Sequence, residues 1–197
     1  PDVSEGDAPA MDEWRSKRLL SSLGIPVPEG ALVRSATEAV SAAESLGYPV
    51  AITVVSADMA HKTEVGGVKL NLIDADAVNA AAEHMLTLAD TVLVESMVKD
   101  SVAELIVGVD RDPQFGPFLV VGFGGVLVEL IGDSQSLLLP TDRHYVADAL
   151  ASLKTAALLN GYRGLPKGDV EALIDAILAV ARFVEENADS IEEIDIN

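Results

Sequence analysis

Residues 49–73 read PVAITVVSADMAHKTEVGGVKLNLI. The opening PVAITVV is rich in β-branched side chains, and the closing VKLNLI alternates apolar and polar residues, so both segments are predicted to be strands. Between them, His61 and Lys62 stand shortly before the pair Gly66–Gly67. Glycines let backbone N–H groups approach an anion closely, so this loop is a candidate phosphate-binding segment, although glycines between strands usually form only tight turns.

Helices are predicted on both sides of this segment. Residues 11–23 form a helix that the following glycine and prolines end. Ser35 and Glu38 form a capping box for a second helix that ends near Gly47. Asp74 caps a third helix, whose apolar face consists of Val78, Ala81, Ala82 and Met85.

The second half of the chain is dominated by strand patterns with glycine-rich turns between them. The predicted strands are TVLVESMV, VAELIVGVD, PFLVVGF and VLVELI. The last third is predicted to be helical, with one long helix behind an Asp169 cap, up to a terminal strand IEEIDIN. We therefore expect an α/β (α+β) protein in two lobes: a tail or linker at 1–9, one lobe at 10–98, and a second lobe at 99–197 that is truncated at its C-terminal end.

Composition excludes several classes of function. The chain has 13 Lys and Arg against 32 Asp and Glu, and this net charge of -19 disfavours nucleic acid as a partner. It has no cysteine, so disulfides and thiolate chemistry are excluded. The acidic start PDVSEGDAPA is unlike a signal peptide, and the most apolar stretch, 117–131, is too short for a membrane span. We expect a cytoplasmic protein without a membrane partner.

Carboxylates and an amide interrupt otherwise apolar strand patterns. Glu104 shares a strand face with Ile106, and Glu129 lies in VLVELI. In the terminal strand, one face carries Glu193, Asp195 and Asn197. The alternative explanation is a solvated face of a half-exposed antiparallel sheet. Hard oxygen ligands in a row also suit Mg²⁺, which binds one or two carboxylates and completes its shell with water and phosphate.

A second glycine-bearing turn lies in VGFGGVLVE, where Gly122, Gly124 and Gly125 separate two strands. It is neither a Walker A sequence nor a dinucleotide-binding fingerprint. Taken alone, it indicates no more than a turn whose backbone could face an anion.

Taken in order, these segments resemble the ATP-grasp domain of the ADP-forming acyl-CoA synthetases, the acetate–CoA ligase type. The likeness runs from about residue 14 to residue 197, and it is carried by LLSSLGIPVPEG, LGYPVAITVVSADMAHKTEVGGVKL, ELIVGVDRDPQFGP, VGFGGVLVEL and EEIDIN. The resemblance implies two lobes with a nucleotide cleft between them and with VESMV as the hinge against the adenine. It also implies a reversible reaction in which acyl-CoA, ADP and phosphate give free acid, CoA and ATP through a phosphohistidine.

The resemblance also assigns residues. His61 relays the phosphoryl group, and Asp195 and Asn197 hold Mg²⁺ beside ATP or ADP. The nucleotide contacts are Thr53, Lys62, Glu95, Met97, Glu104, Gly124 and Gly125. No role is assigned to His84 or His144. The implied partners are the CoA-binding and ligase domains of the same enzyme, fused or as a separate subunit.

Two departures from the family pattern bear on activity. Thr53 stands where the family usually carries a nucleotide-contacting Lys, and Leu137 stands where it usually carries an Arg. A further metal-binding Asp that follows EIDIN in the family is absent from this chain. These departures support an alternative, a degenerate nucleotide-sensing or structural ATP-grasp module in a multidomain protein that is acyl-CoA-synthetase-like or fused to an acetyltransferase. A plain α/β scaffold without a ligand is a third hypothesis. By itself the domain is expected to be inactive.

Overall fold

The computed structural model describes residues 10–55, 66–125 and 132–197. Within these ranges the chain divides into two units, one comprising residues up to Ser22 together with Pro26–Lys99, the other comprising Leu23–Ile25 and Asp100–Asn197. In the described residues, no helix is long and apolar enough to cross a membrane.

The first unit combines a four-stranded antiparallel sheet with three helices. Its elements in chain order are α1 (Glu13–Ser22), β1 (Gly30–Val33), α2 (Ala36–Leu46), β2 (Val50–Val54), β3 (Val68–Leu72), α3 (Ala75–Met85) and β4 (Val92–Ser96). The strand order is β1-β4-β2-β3. Helices α2 and α3 pack on one sheet face, where the core consists of Val33, Val50, Ile52, Val54, Val92, Val94, Ala39, Ala43, Val78, Ala82 and Met85.

Local signals explain where these helices begin and end. The Ser35 side chain accepts a hydrogen bond from Glu38 N, and Glu38 Oε2 in turn accepts one from Arg34 N. The Asp74 side chain caps α3 by accepting from Ala77 N. The four residues predicted as the apolar face of α3 are its buried residues, so that prediction is confirmed.

The second unit also contains a four-stranded antiparallel sheet, in the order β7-β6-β5-β8. Its elements are β5 (Leu105–Asp112), β6 (Gly116–Phe123), β7 (Ser134–Leu138), α4 (Arg143–Ser152), α5 (Ala156–Leu159), α6 (Val170–Glu186) and β8 (Ile194–Ile196). Helix α4 packs against β6 and β7, and α6 packs against α4. Val109, Leu119 and Val121 are buried on the covered face of the sheet.

Three details differ from the sequence-based expectation. Strand β7 lies inside the stretch predicted to be helical; its polar sequence SQSLL pairs with β6 from Phe118↔Leu138 to Gly122↔Ser134. Strand β1 is short and was not predicted. Glu104 stands immediately before β5 rather than within the strand. In each case pairing with a neighbouring strand decides the structure, which local propensity does not encode.

Candidate functional site

One face of the second sheet carries two glycines, Gly108 and Gly122, among larger side chains. Register places Ile106 opposite Gly122, and Gly108 opposite both Val120 and Asp195. Because side chains alternate along a strand, this face is opposite to the one that buries Val109. On this face Gly122 is buried and Gly108 is partly buried, and Gly108 lies beside the exposed Asp195 of β8.

Four of the residues assigned by resemblance lie close together at one end of this sheet. A β-carbon at Gly124 would lie 2.9 Å from Asn197 Oδ1, and one at Gly125 would lie 2.9 Å from Glu104 Oε2. The Gly124 N–H donates to the Glu104 carbonyl at 2.8 Å. The turn after β6, the residue before β5 and the end of β8 therefore come together, although they are distant in sequence.

Glycine is needed at both turn positions, for different reasons. At Gly125 the backbone has φ +84°, a left-handed conformation that side chains disfavour. At Gly124 the obstacle is space, because an added β-carbon would also stand 3.2–3.3 Å from backbone carbonyl carbons of Leu105 and Glu104. The two glycines thus let the Asn197 amide and the Glu104 carboxylate lie against bare backbone.

The oxygen atoms at this end of the sheet suit a small hard cation. Asp195 is exposed and lies opposite Gly108, two residues before Asn197 on the same strand face. Carboxylate and amide oxygens are the protein ligands that Mg²⁺ takes, few at a time, alongside water and phosphate. Among the described residues, no group of three or more His, Cys, Asp or Glu side chains forms a preformed metal cluster. The Asp195 carboxylate and the Asn197 amide oxygen are donors of the kind that Mg²⁺ takes.

In the first unit, Thr53 and Glu95 lie on the sheet face opposite the α2–α3 core. Thr53 pairs with Leu93, and Glu95 pairs with Ala51 on one side and Gly30 on the other. Both polar side chains are covered, with 7 % of Thr53 and 6 % of Glu95 exposed. The strand register therefore shows that the Thr53 side chain points away from the α2–α3 core, to the same side as Glu95. The alternation of residues in the sequence does not decide between the two faces.

The Glu95 carboxylate is bound by Lys17, a residue that sequence reasoning did not select. Lys17 Nζ donates to Glu95 Oε1 at 2.7 Å and to Oε2 at 2.6 Å, and also to Glu13 Oε1 at 2.8 Å. Burial alone would lower the pKa of Lys17, but the hydrogen bonds and charges of Glu13 and Glu95 outweigh burial and raise it. The four-residue spacing of Glu13 and Lys17 in the sequence predicts an ion pair within the helix, but it does not indicate the contact with Glu95.

The backbone after Glu95 is hydrogen-bonded on both sides of the strand. Ser96 N–H donates to the Glu29 carbonyl at 2.9 Å, whereas Met97 N–H donates to the Pro49 carbonyl at 3.4 Å, a long hydrogen bond. Strand β4 ends at Ser96. Met97, assigned to the nucleotide by resemblance, is therefore the first residue after the strand.

Other assigned residues lie elsewhere. His61, Lys62 and Glu129 fall outside the described residues. Leu137 pairs with the buried Leu119 on β6 and so belongs to the covered face of the second sheet, where an apolar residue is accommodated.

Asp133 is a second polar residue that sequence reasoning missed. It is buried, and its carboxylate accepts hydrogen bonds from Lys154 N at 2.8 Å, Thr155 N at 2.9 Å and Thr155 Oγ1 at 2.6 Å. Burial alone would raise the pKa of Asp133, but the hydrogen bonds from Thr155 and Lys154 outweigh burial and lower it. Its carbonyl accepts from Phe123 N at 2.9 Å, so Asp133 ties the strand that carries the glycine turn to the segment after α4.

Comparison with known protein families gives one match across the chain. The model of the ATP-grasp domain matches residues 2–197. The fold predicted by resemblance, an α/β ATP-grasp domain, is confirmed by this match and by the solved structure described below.

Two relatives and one solved structure are particularly similar. Trans-feruloyl-CoA synthase FCS1, from an unknown prokaryotic organism, is 39 % identical over 196 residues, covering 95 % of this chain and 27 % of that protein. The beta subunit of acetate–CoA ligase [ADP-forming] II from Pyrococcus furiosus is 33 % identical over 197 residues, covering 95 % of this chain and 83 % of the subunit. Acetyl-coenzyme A synthetase 1 of Ca. Korarchaeum cryptofilum, in complex with coenzyme A and Ca-AMPCP, superposes with a TM-score of 0.88 at 34 % identity, covering 95 % of this chain and 85 % of that one.

This chain covers very different fractions of the two relatives. The chain spans most of the separate beta subunit but only 27 % of the longer synthase. The Pyrococcus furiosus relative is named as an ADP-forming acetate–CoA ligase, the class that the resemblance implied, and the longer relative is named as a feruloyl-CoA synthase.

Proposed function

This chain belongs to the ATP-grasp domain family, and from that premise we propose that it is the nucleotide-binding domain of an ADP-forming acid–CoA ligase. The proposal is that it binds ATP or ADP with Mg²⁺ while the whole enzyme interconverts acyl-CoA, ADP and phosphate with free acid, CoA and ATP. The names of the relatives support a ligase over a degenerate sensing module. The acyl group is left open, because the relatives include feruloyl-CoA and acetate–CoA enzymes.

The observation that carries this proposal is the meeting of Glu104, Gly124, Gly125 and Asn197. Each glycine accommodates one oxygen-bearing side chain at a distance that a β-carbon would obstruct. A purely structural turn has no need for such oxygens beside bare backbone, whereas a phosphate–Mg²⁺ group needs both N–H donors and hard oxygen ligands. We therefore assign Glu104, Gly124 and Gly125 to the nucleotide, and Asp195 and Asn197 to Mg²⁺.

The remaining nucleotide contacts are proposed on the family resemblance. They are Thr53, Lys62, Glu95 and Met97. For Glu95 the contact is assigned to the backbone, because both carboxylate oxygens are engaged by Lys17.

For Mg²⁺, the donor set of Asp195 and Asn197 fits on chemical grounds, and the bound ion would neutralise phosphate charge. This local help matters because the chain's net charge of -19 repels a polyphosphate. The isolated chain is expected to hold the ion weakly, since it offers few protein ligands.

We assign His61 as the phosphoryl carrier. In the direction of ATP synthesis, phosphate first displaces CoA from the acyl-CoA thioester, giving an acyl phosphate. The imidazole nitrogen of His61 then attacks phosphorus, forming a P–N bond as the bond between phosphorus and the acyl oxygen breaks and the free acid leaves as a carboxylate. A terminal oxygen of ADP then attacks the same phosphorus, and the P–N bond breaks to return a neutral imidazole. Neutral imidazole is nucleophilic near neutral pH, and the transfer itself needs mainly alignment and charge neutralisation, to which Lys62 contributes.

The partners of the proposed enzyme are CoA-binding and acid-activating domains. The solved synthetase binds coenzyme A and a nucleotide analogue, and another of its complexes, with Mg-AMPPCP, shows a phosphohistidine segment pointing towards the nucleotide binding site. We propose equivalent domains for this protein, either fused or as a separate subunit, in the cytoplasm and without nucleic acid or membrane partners.

Calorimetry with ATP, with and without Mg²⁺, tests the proposal on this chain. We expect Mg²⁺-dependent binding that Asn197→Ala and Asp195→Asn both weaken. Glu193→Gln is the matched control, because it removes a carboxylate from the same strand face, two residues before Asp195 and four before Asn197. Absence of ATP and ADP binding in the wild-type chain would contradict the proposal, and equal weakening by Glu193→Gln would remove the metal assignment.

A second measurement tests whether His61 accepts the phosphoryl group. After incubation of the chain with γ-labelled ATP and Mg²⁺, we expect acid-labile label that His61→Ala abolishes and His84→Ala retains. Label that survives in His61→Ala would place the phosphoryl acceptor elsewhere.

A further inference from the structure

The ion cluster of Lys17, Glu13 and Glu95 is placed where the first unit's sheet meets the segment assigned to the nucleotide base. Glu95 is the penultimate residue of β4, and Met97 follows the strand directly. The side chain of Lys17 is 24 % exposed and that of Glu95 is 8 % exposed, so the contact is largely shielded from water. A shielded, bidentate ion pair is held more firmly than a surface pair.

The neighbouring strands are shaped around the Glu95 side chain. A β-carbon at Gly30 would stand 2.7 Å from Glu95 Cγ, so glycine on β1 makes room for it. On the other side, β2 places the small Ala51 opposite Glu95. Neither neighbour offers a charge, and among the described residues the charged side chains that contact Glu95 come from α1 alone.

From these contacts we propose that Lys17 is a positioning residue for the nucleotide base: by holding the Glu95 carboxylate, it fixes the backbone of residues 95–97 in the conformation that the base contacts. The inference rests on the proposed function. Its physical basis is that the Lys17–Glu95 ion pair holds the penultimate residue of β4, two residues before Met97, whose N–H donates to the Pro49 carbonyl at 3.4 Å.

A role in stability alone is the competing explanation, because removing one partner of a shielded ion pair leaves the other charge uncompensated. A pair of variants separates the two. Lys17→Met removes the anchor and leaves a buried charge, whereas Lys17→Met/Glu95→Gln removes the anchor and the charge together. Glu95→Gln alone keeps an acceptor for Lys17 Nζ and provides the reference for the double variant.

The experiment measures ATP affinity by calorimetry, unfolding by urea, and amide hydrogen exchange at Ser96 and Met97. We expect Lys17→Met to weaken ATP binding by about ten-fold, and the double variant to unfold near the wild-type urea concentration while still binding about ten-fold more weakly than Glu95→Gln. Exchange at Ser96 and Met97 should be faster in both variants that lack Lys17.

Arg18→Met is the matched control, since it removes a positive charge from the adjacent, exposed position of α1 and should leave affinity and exchange unchanged. The proposal is overturned if the double variant matches Glu95→Gln in affinity and exchange, or if Lys17→Met accelerates exchange uniformly across the sheet. If Lys17→Met does not fold, the double variant decides. A wild-type chain that binds no nucleotide refutes the proposed function, and the exchange comparison then still decides whether Lys17 fixes this backbone.

Discussion

Asn197 Oδ1 lies 2.9 Å from the position that a β-carbon on Gly124 would occupy, so the last residue of the chain and the turn after β6 have complementary shapes. No positive φ is recorded at Gly124, unlike Gly125. The requirement for glycine at 124 is therefore steric, and substitution there tests contact with Asn197 without altering the backbone preference.

Gly124→Ala should destabilise the second unit and weaken Mg²⁺-dependent ATP binding. The added methyl would press on Asn197 Oδ1 and on two backbone carbons, and such overpacking typically costs ~1–3 kcal/mol of unfolding free energy. Urea unfolding and calorimetry provide the two measurements. Gly108→Ala is the control on the same sheet face, because its nearest heavy atoms would stand at 3.7 Å, an ordinary contact. Equal stability of the two alanine variants would show that Gly124 is not sterically restricted.

Asp133→Asn should destabilise the protein in a pH-dependent way. The hydrogen bonds from Thr155 and Lys154 lower the pKa of Asp133 in the folded state, so the unfolded chain binds more protons in the acid range. Its contribution is therefore complete above the unfolded value of about 3.9 and is lost as the pH falls through the folded value.

At neutral pH we expect Asp133→Asn to cost roughly 1–3 kcal/mol, because a buried donor loses its partner or meets an amide nitrogen. The difference between wild type and variant in urea unfolding should shrink below about pH 4. A difference that is constant across this range would mean that the charge of Asp133 contributes nothing to folding.

Tyr48→Phe should leave the protein at least as stable as the wild type. The Tyr48 hydroxyl is buried and, within the described part of the chain, has no hydrogen-bond partner, while the ring packs against the core of the first unit. Removing an unsatisfied polar atom while keeping the ring relieves a desolvation cost. The urea midpoint is the measurement, with Tyr145→Phe at an exposed position as the control. A clear loss of stability in Tyr48→Phe alone would show that its hydroxyl has a partner.

Elements with strong local signals were predictable from the sequence. The helix after Asp74 has its cap, its spacing and its buried face as expected, because those signals lie within a few residues of one another. Strand β7 has no such signal; SQSLL becomes a strand only through pairing with β6. The candidate site likewise contains residues that could be predicted from the sequence and residues that could not. Resemblance supplied Glu104 and Asn197, but Lys17 acquires its significance from Glu95, which is 78 positions away in the chain. Contacts of that kind depend on tertiary structure, and helical spacing alone does not report them.

Thr53→Lys should tighten ATP binding. Thr53 lies on the face of the first unit's sheet opposite the α2–α3 core, at a position where the family resembled by this chain usually carries a nucleotide-contacting Lys. A charge-assisted hydrogen bond to phosphate contributes on the order of 1.5–3 kcal/mol, which corresponds to roughly ten- to a hundred-fold in affinity. The Glu95 carboxylate, which lies on the same face, already has Lys17 as its partner, so the new ammonium remains available for phosphate.

The same substitution should reduce stability in the absence of nucleotide. Only 7 % of Thr53 is exposed, so a longer side chain must displace its neighbours or extend towards water to keep its charge solvated. Thr53→Met is the control, because it adds similar length without charge and should carry the stability loss without the gain in affinity. Calorimetry and urea unfolding on both variants separate the two effects. If Lys and Met at this position give the same ATP affinity, the side chain of residue 53 does not reach the phosphates, and its assignment to the nucleotide is wrong.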